Sequence, residues 1–333
     1  MTWTPWDDAW QQALYGPEGF YRRPEGPAGH FATSAQGLGP AGAVLAGAVR
    51  ELAGRVGART VVEVGAGRGE LLTALAALPG APEEVATVAG PVAPGPVQLL
   101  GVDVVPRPSG LPADVGWRVS PGGAALPEDL TGLRDVLVLA HEWLDVVPCP
   151  VVERDAAGVW HTVEVDRTGT ERHGGAVAGA DLQWLEAHVP GDVWRTEVGR
   201  PRDAAFADLT SRVDRGAVLV VDYGHTRAGR PPGGTLTAYR NGVQVPPVPD
   251  GSCDLTAHVA VDTLGADRLV RQRDALRDLL GPATLPPHEL AGRDPAAYLA
   301  ALARSTARTA ITASGGPGDF WWALSGCGGA PLG

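Results

Sequence analysis

An α/β fold built on a mostly parallel sheet is what this sequence predicts, and three observations predict it. Short β-branched apolar runs recur along the chain, and several end in an acidic residue. Helical apolar patterns separate those runs, the alternation that gives parallel sheets covered on both faces. The first run, Thr60 to Val64, passes directly into Gly65, Gly67 and Gly69 and then into a helical pattern. Strand, glycine turn and helix in that order put a binding crevice at the carboxyl end of the sheet.

Taken in order, Trp6 to Leu14 reads as a short helix, followed by glycine- and proline-rich chain to Gly42. A helix from about Ala43 to Val56 precedes the glycine-bearing strand, whose own helix runs to about Leu78. Pro79 to Pro96 carries few order signals and reads as a long loop or insertion. Val97 to Asp103 is a second buried strand ending in an acid, and Trp117 to Val119 a short third. Asp135 to Ala140 is a fourth, delivering His141-Glu142-Trp143-Leu144-Asp145 to its end. Val151 to Val165 alternates like a hairpin, with Ala157-Gly158 near its turn. Ala217 to Val221 is a fifth strand, ending at Asp222-Tyr223-Gly224-His225. A polar, proline-rich excursion reaches about Pro249, and helical patterns follow near Val259 to Leu280 and Pro295 to Thr312.

Composition narrows the function. The 333 residues are 44% hydrophobic and 20% charged, ordinary for a globular chain. A net charge of −11 argues against nucleic acid, because phosphate neutralisation needs basic patches. All basic residues are Arg, which reads as codon bias rather than a site. Cys149, Cys253 and Cys327 match neither a disulfide framework nor a metal-ligand spacing, and no Cys/His/acid cluster suggests a metal. No signal peptide or run of about 20 apolar residues is evident, so no membrane association and a cytoplasmic location are expected. Neither a nucleophile elbow nor a phosphate loop occurs, which removes the central residues of hydrolases and kinases.

The chemistry-bearing residues sit at strand ends. Glycines at 65, 67 and 69 let a nucleoside-bearing ligand lie against the main chain without a Cβ between. Their Gly-x-Gly-x-Gly spacing differs from the dinucleotide fingerprint, which disfavours a nicotinamide oxidoreductase. With Glu63 before it, the run resembles the first motif of S-adenosylmethionine (SAM)-dependent methyltransferases. Asp103 ends the next strand as a ribose-binding acid would, able to accept from both hydroxyls; it could equally be a solvated turn residue. Glu142 and Asp145, three apart, could fork a guanidinium and hold one nitrogen toward a methyl donor, or cap a helix start. Asp222 ends the neighbouring strand. His258 is a candidate base or a structural histidine, and Asp254 with Thr256 could be a cap.

Taken together, these segments are similar to one family over nearly the whole chain, the MidA-like SAM-dependent methyltransferases, which include an arginine methyltransferase of mitochondrial complex I assembly. The matching segments are Ala13 to Tyr21, Gly29 to Ser34, Glu63 to Gly69, His141 to Pro148, Asp222 to Gly224, Thr235 to Arg240 and Asp254 to Val259. The resemblance implies a Rossmann-like class I fold, with residues 1–56 as an N-terminal cap over the active site. It implies a core over 57–333 with inserted substrate-side segments near 150–190 and 223–258. It implies that Glu63, Gly65, Gly67, Gly69 and Asp103 bind SAM, with Thr33 and Ser34 in a loop over the cofactor. Glu142, Asp145, Asp222 and His258 would face the acceptor, an accessible arginine of a protein substrate, and the chain could pair as a homodimer. His30, Ala35-Gln36, His141 and Asn241-Gly242 depart from the family pattern. A small-molecule acceptor, or a catalytically silent assembly protein on the same fold, are the competing expectations.

Overall fold

The computed structural model describes residues 2–23, 39–78 and 97–332. In chain order, strand β1 (Thr4–Pro5) leads into helix α1 (Trp6–Tyr15), and α2 (Gly39–Arg55) into β2 (Thr60–Val64), α3 (Glu70–Ala76), β3 (Gln98–Asp103), β4 (Gly116–Val119) and β5 (Leu133–His141). Then come β6 (Val151–Arg154), β7 (Trp160–Val165), β8 (Glu171–Ala176), α4 (Gly179–His188), β9 (Arg195–Glu197), α5 (Arg200–Ser211) and β10 (Val213–Asp222). Short strands β11 (Gly224–His225), β12 (Thr237–Arg240), β13 (Val243–Val245), β14 (Asp254–Thr256) and β15 (Val259–Ala260) follow. The chain closes with β16 (Arg268–Arg271), α6 (Gln272–Leu280), α7 (His288–Arg293), α8 (Pro295–Thr312) and β17 (Trp321–Cys327).

Among the described residues the central sheet has seven strands in the order β16-β17-β10-β5-β2-β3-β4. From β10 to β4 every pairing is parallel, while β17 is antiparallel to both β10 and β16. The fold is therefore mixed α/β with a mostly parallel centre. Period-two alternation fixes which side chains meet which helices. Val61, Leu137 and Leu219 pack with α2, α3, α6 and α8 on one face; Val62, Val138 and Val218 pack with Phe206 and Leu209 of α5 on the other. From β2 the chain builds outward through β3 and β4, then returns to β5 and β10 on the other side. That reversal places the topological switch point between β2 and β5, where open α/β sheets bind ligands.

A second sheet pairs β1-β7-β6-β9, with β8 beside β7, and a small sheet pairs β13-β12-β14. Helix α1 is buried against both: Trp6, Trp10 and Leu14 share a core with Val163, Val165 and Leu255.

Helix α2 shares one core with the central sheet, Val49, Leu52 and Ala53 clustering with Val61, Leu137 and Leu219. One expectation is corrected. The helix expected over 259–280 is confined to Gln272–Leu280, because Val259–Ala260 pairs with β11 and Arg268–Arg271 pairs with β17. Trp321-Trp322 begins β17. Trp322 is buried, and its indole Nε1 donates to Gln272 Oε1 at 3.1 Å.

Candidate functional site

A cleft of about 1470 Å³ opens at the carboxyl ends of β2, β3 and β5, the switch point itself. It is larger than the roughly 300–1,000 Å³ typical of small-molecule sites. Its walls divide into two chemically different halves.

The first half is the turn after β2. Gly65, Gly67 and Gly69 all hold positive φ, at 70°, 58° and 75°, a conformation in which side chains are strained. A Cβ on Gly69 would overlap Leu111, and one on Gly65 would rest on Trp143 at 3.4 Å. The turn is tied across to β3: the Gly65 N–H donates to the Val102 carbonyl at 2.9 Å, and the Gly67 N–H to Asp103 Oδ2 at 2.8 Å. Asp103 Oδ1 accepts from the Val105 N–H at 3.2 Å. Burial pushes its carboxyl up to about 6, against the pull of those backbone donors. Glu63, deeper and 4% exposed, keeps Oε2 buried with no hydrogen-bond partner among the described residues. Burial, with Glu70 and Asp103 nearby, raises it well above the carboxylate range. Such an orphaned carboxylate calls for a cationic or donor ligand. A bare main chain, an orphaned acid and a second acid one strand over suit a nucleoside carrying a positively charged group.

The second half lies past β5 and gathers distant segments. Asp145, 3% exposed, sits in a 3₁₀ turn, Leu144–Val146. Its Oδ2 accepts from the Tyr223 hydroxyl and from Thr256 Oγ1, the latter at 2.7 Å. Its Oδ1 is buried with no partner among the described residues, and the residue lines the cleft. Burial and then Glu142 raise its carboxyl. Glu142 holds φ at 52°, a strained value for a non-glycine residue, and borders the same space. Asp254 lines it as well, with Oδ1 accepting from the Tyr21 hydroxyl at 2.7 Å; burial raises it well above its ordinary value. His258 is exposed to the cleft, its ring edge-on to Tyr223 at 5.5 Å. Burial holds its imidazole below the ordinary value, so it is neutral near pH 7.

The structure thus brings Glu63, Gly65, Gly67, Asp103, Glu142, Asp145 and His258 to one cleft. Gly69 caps α3 beside it. Asp222 is different. Only 1% exposed, it lies behind the cleft wall, its Oδ2 accepting from the Leu144 and Asp145 N–H groups at 3.0 and 3.2 Å. It fixes the turn carrying Asp145 and is not among the residues that line the cleft. Thr33, Ser34, His30, Ala35 and Gln36 lie outside the described residues. Asn241-Gly242 forms the β12–β13 hairpin turn, with φ of 51° and 75°, the pattern of a two-residue Asn-Gly hairpin. Sequence reasoning missed Tyr223 and Thr256 as partners of Asp145, and missed Arg202 entirely. No local spacing marks them, since they reach Asp145 only through the fold.

A fold with its cleft at the switch point and glycines under it defines a nucleoside-binding α/β protein. Residues 109–277 match the family described as "Putative S-adenosyl-L-methionine-dependent methyltransferase", half of the chain. The chain belongs to this family, and SAM is its cofactor. Among solved structures, a "likely methyl transferase" from Burkholderia thailandensis bound to S-adenosyl-homocysteine is 24% identical; the match covers 98% of this chain and 88% of that one at a TM-score of 0.68. An uncharacterised protein from the same organism is 25% identical over 98% and 88%, with a TM-score of 0.64. Both share the fold. No curated protein matches the chain.

Proposed function

We propose that this protein is a class I, Rossmann-like methyltransferase that transfers a methyl group to an arginine side chain of a protein. One observation carries the acceptor reading: Asp145 is held at the cleft floor with Oδ1 unpartnered and buried, flanked by Glu142. A guanidinium stays protonated and presents several N–H donors in a fixed fork, which matches one or two fixed carboxylates better than a point-charge amine. Burial raises both Asp145 and Asp254, Glu142 adds to each rise, and a guanidinium in the cleft would offset it.

In this reading Glu63 and Asp103 hold the charged and sugar portions of SAM, and Gly65 and Gly67 let it approach the main chain. When bound, SAM supplies a methyl group on a positively charged sulfur. Asp145 Oδ1 and Glu142 accept N–H bonds from the acceptor and turn one nitrogen toward the first half of the cleft. Tyr223 and Thr256 keep Asp145 from rotating. His258, neutral and at the cleft wall, takes the proton that the nitrogen releases as its new N–C bond forms. The remaining work is alignment in a dry pocket. Helix α1 and the segment from Tyr223 to His258 wall the acceptor side.

The test is incubation of a cell extract and arginine-bearing peptides with methyl-labelled SAM, followed by mass spectrometry of the labelled residues. The expected label is on arginine, and it disappears with D145N. Label found only on small molecules, or none at all alongside tight S-adenosyl-homocysteine (SAH) binding, overturns the protein-arginine reading.

A further inference from the structure

We propose that Arg202 is a positioning residue that fixes the acceptor half of the cleft by fastening its two walls to each other, without acting on the cofactor half. This inference rests on the acceptor reading above. Arg202 lies near the start of α5 and is 1% exposed, among the largest fully buried side chains. Its guanidinium makes four hydrogen bonds, all to backbone carbonyls. Nε donates to Val147 at 3.1 Å and Nη2 to Asp145 at 2.7 Å; Nη1 donates to Ala257 at 3.1 Å and His258 at 2.9 Å. One charged group thereby joins the turn that carries Asp145 to the segment that carries His258. Its carbon also sits over the Trp10 ring at 5.6 Å, adding α1 to the same fastening.

The chemistry suits a brace. A buried charge is costly unless its donors are satisfied, and carbonyls converge here from two separate stretches of chain. Those stretches touch each other directly as well, the Ala257 N–H donating to the Asp145 carbonyl at 3.1 Å. The positive charge opposes the rise that burial imposes on Asp145 and Asp222. A lysine has a single nitrogen and no planar fork, so it cannot reach four carbonyls at once. None of these bonds involves Glu63, Asp103 or the glycine turn, which are held instead by β2 and β3.

The experiment compares wild type with R202K and R202M in three measurements: amide hydrogen exchange, SAH affinity by calorimetry, and methyl transfer to arginine-bearing proteins per SAH-binding site. We expect faster exchange confined to residues 144–147 and 257–259, unchanged protection at 65–67, and SAH affinity within about twofold. Transfer per SAH-binding site should fall about 100-fold, the scale set by ångström misplacement of reacting groups. Parallel loss of SAH affinity and transfer, or exchange rising equally in both halves, would show a merely structural role and overturn the inference. So would wild-type transfer by R202K. If wild type itself labels no arginine, the acceptor reading falls, and the exchange pattern still decides whether Arg202 fastens these two walls.

Discussion

The half of the cleft around Gly67 is made from a continuous stretch and one adjoining strand, whereas the half around Asp145 is assembled from segments far apart in the chain. Asp103 meets Gly67 at a separation of 36 residues, through the parallel pairing of β2 with β3. Asp145 is bonded to Tyr223 and Thr256, 78 and 111 residues away, and its carbonyl to Arg202, 57 away. The first half depends on backbone shape, which glycine dictates locally. The second depends on side chains held by other side chains, so single substitutions there should disable transfer and leave cofactor binding intact.

The sharpest separation comes from D145N. Asparagine keeps the shape, and its oxygen can still accept from Tyr223 and Thr256. Its amide nitrogen then takes the place of Oδ1 and presents donors to a donor. Methyl transfer should fall by about 100-fold or more, on the scale of removing one preorganised electrostatic contact, while SAH affinity by calorimetry stays within about twofold. Equal loss of both would erase the distinction between the halves. The converse variant is G67V. A β-branched residue at a φ of 58° strains the turn and fills the space above it. SAH affinity should weaken by roughly ten- to a hundredfold, with protection of the amides at 144–146 unchanged in hydrogen exchange.

These contrasts also explain how much was legible in the sequence. The glycine turn, Glu63 and Asp103 stand out because strand, turn and strand end are local patterns, and the structure gathers all of them in one crevice. Glu142 and Asp145 were visible as acids after a buried strand. Asp222 looked equivalent at the end of the next strand, but its carboxylate is consumed by the Leu144 and Asp145 amides. Arg202 resembled any other arginine at a helix start, because its carbonyl partners carry no sequence signature. Strands β16 and β17 were hidden for another reason. Arg268-Leu269-Val270-Arg271 runs into an amphipathic helix and borrows its periodicity, and Trp321-Trp322 puts large apolar groups on both faces of an antiparallel strand.

D222N probes the support beneath Asp145. An asparagine oxygen can keep the Leu144 and Asp145 amides, but its nitrogen would then face the Tyr223 N–H, which now donates to Oδ1 at 3.1 Å. A buried donor left against a donor costs about 1–3 kcal/mol. Thermal denaturation should show a Tm lowered by a few degrees. Transfer should fall about tenfold, the equivalent of roughly 1.4 kcal/mol of lost alignment, and SAH affinity should hold. A wild-type transfer rate with the lowered Tm would make Asp222 a stability residue only.

The smallest effect sharpens the comparison from the cofactor side. Asp103 titrates near 6 in the folded chain, above its ordinary 3.8. Between those values the folded state holds a proton that the unfolded chain has released. The stability linked to this group is therefore fully present below about pH 3.8 and is lost as pH rises to about 6. Ribose hydroxyls are donors and need the ionised carboxylate as acceptor, so binding runs the other way. Only about a quarter of Asp103 is ionised at pH 5.5, so SAH affinity should fall about fourfold from its value at pH 7.5. D103N removes the titrating group, so its SAH binding should be weaker than wild type at pH 7.5 and should no longer vary across pH 5.5–7.5. An affinity that stays flat with pH in the wild type would mean that Asp103 does not receive the sugar, and would leave the glycine turn and Glu63 as the whole of the cofactor half.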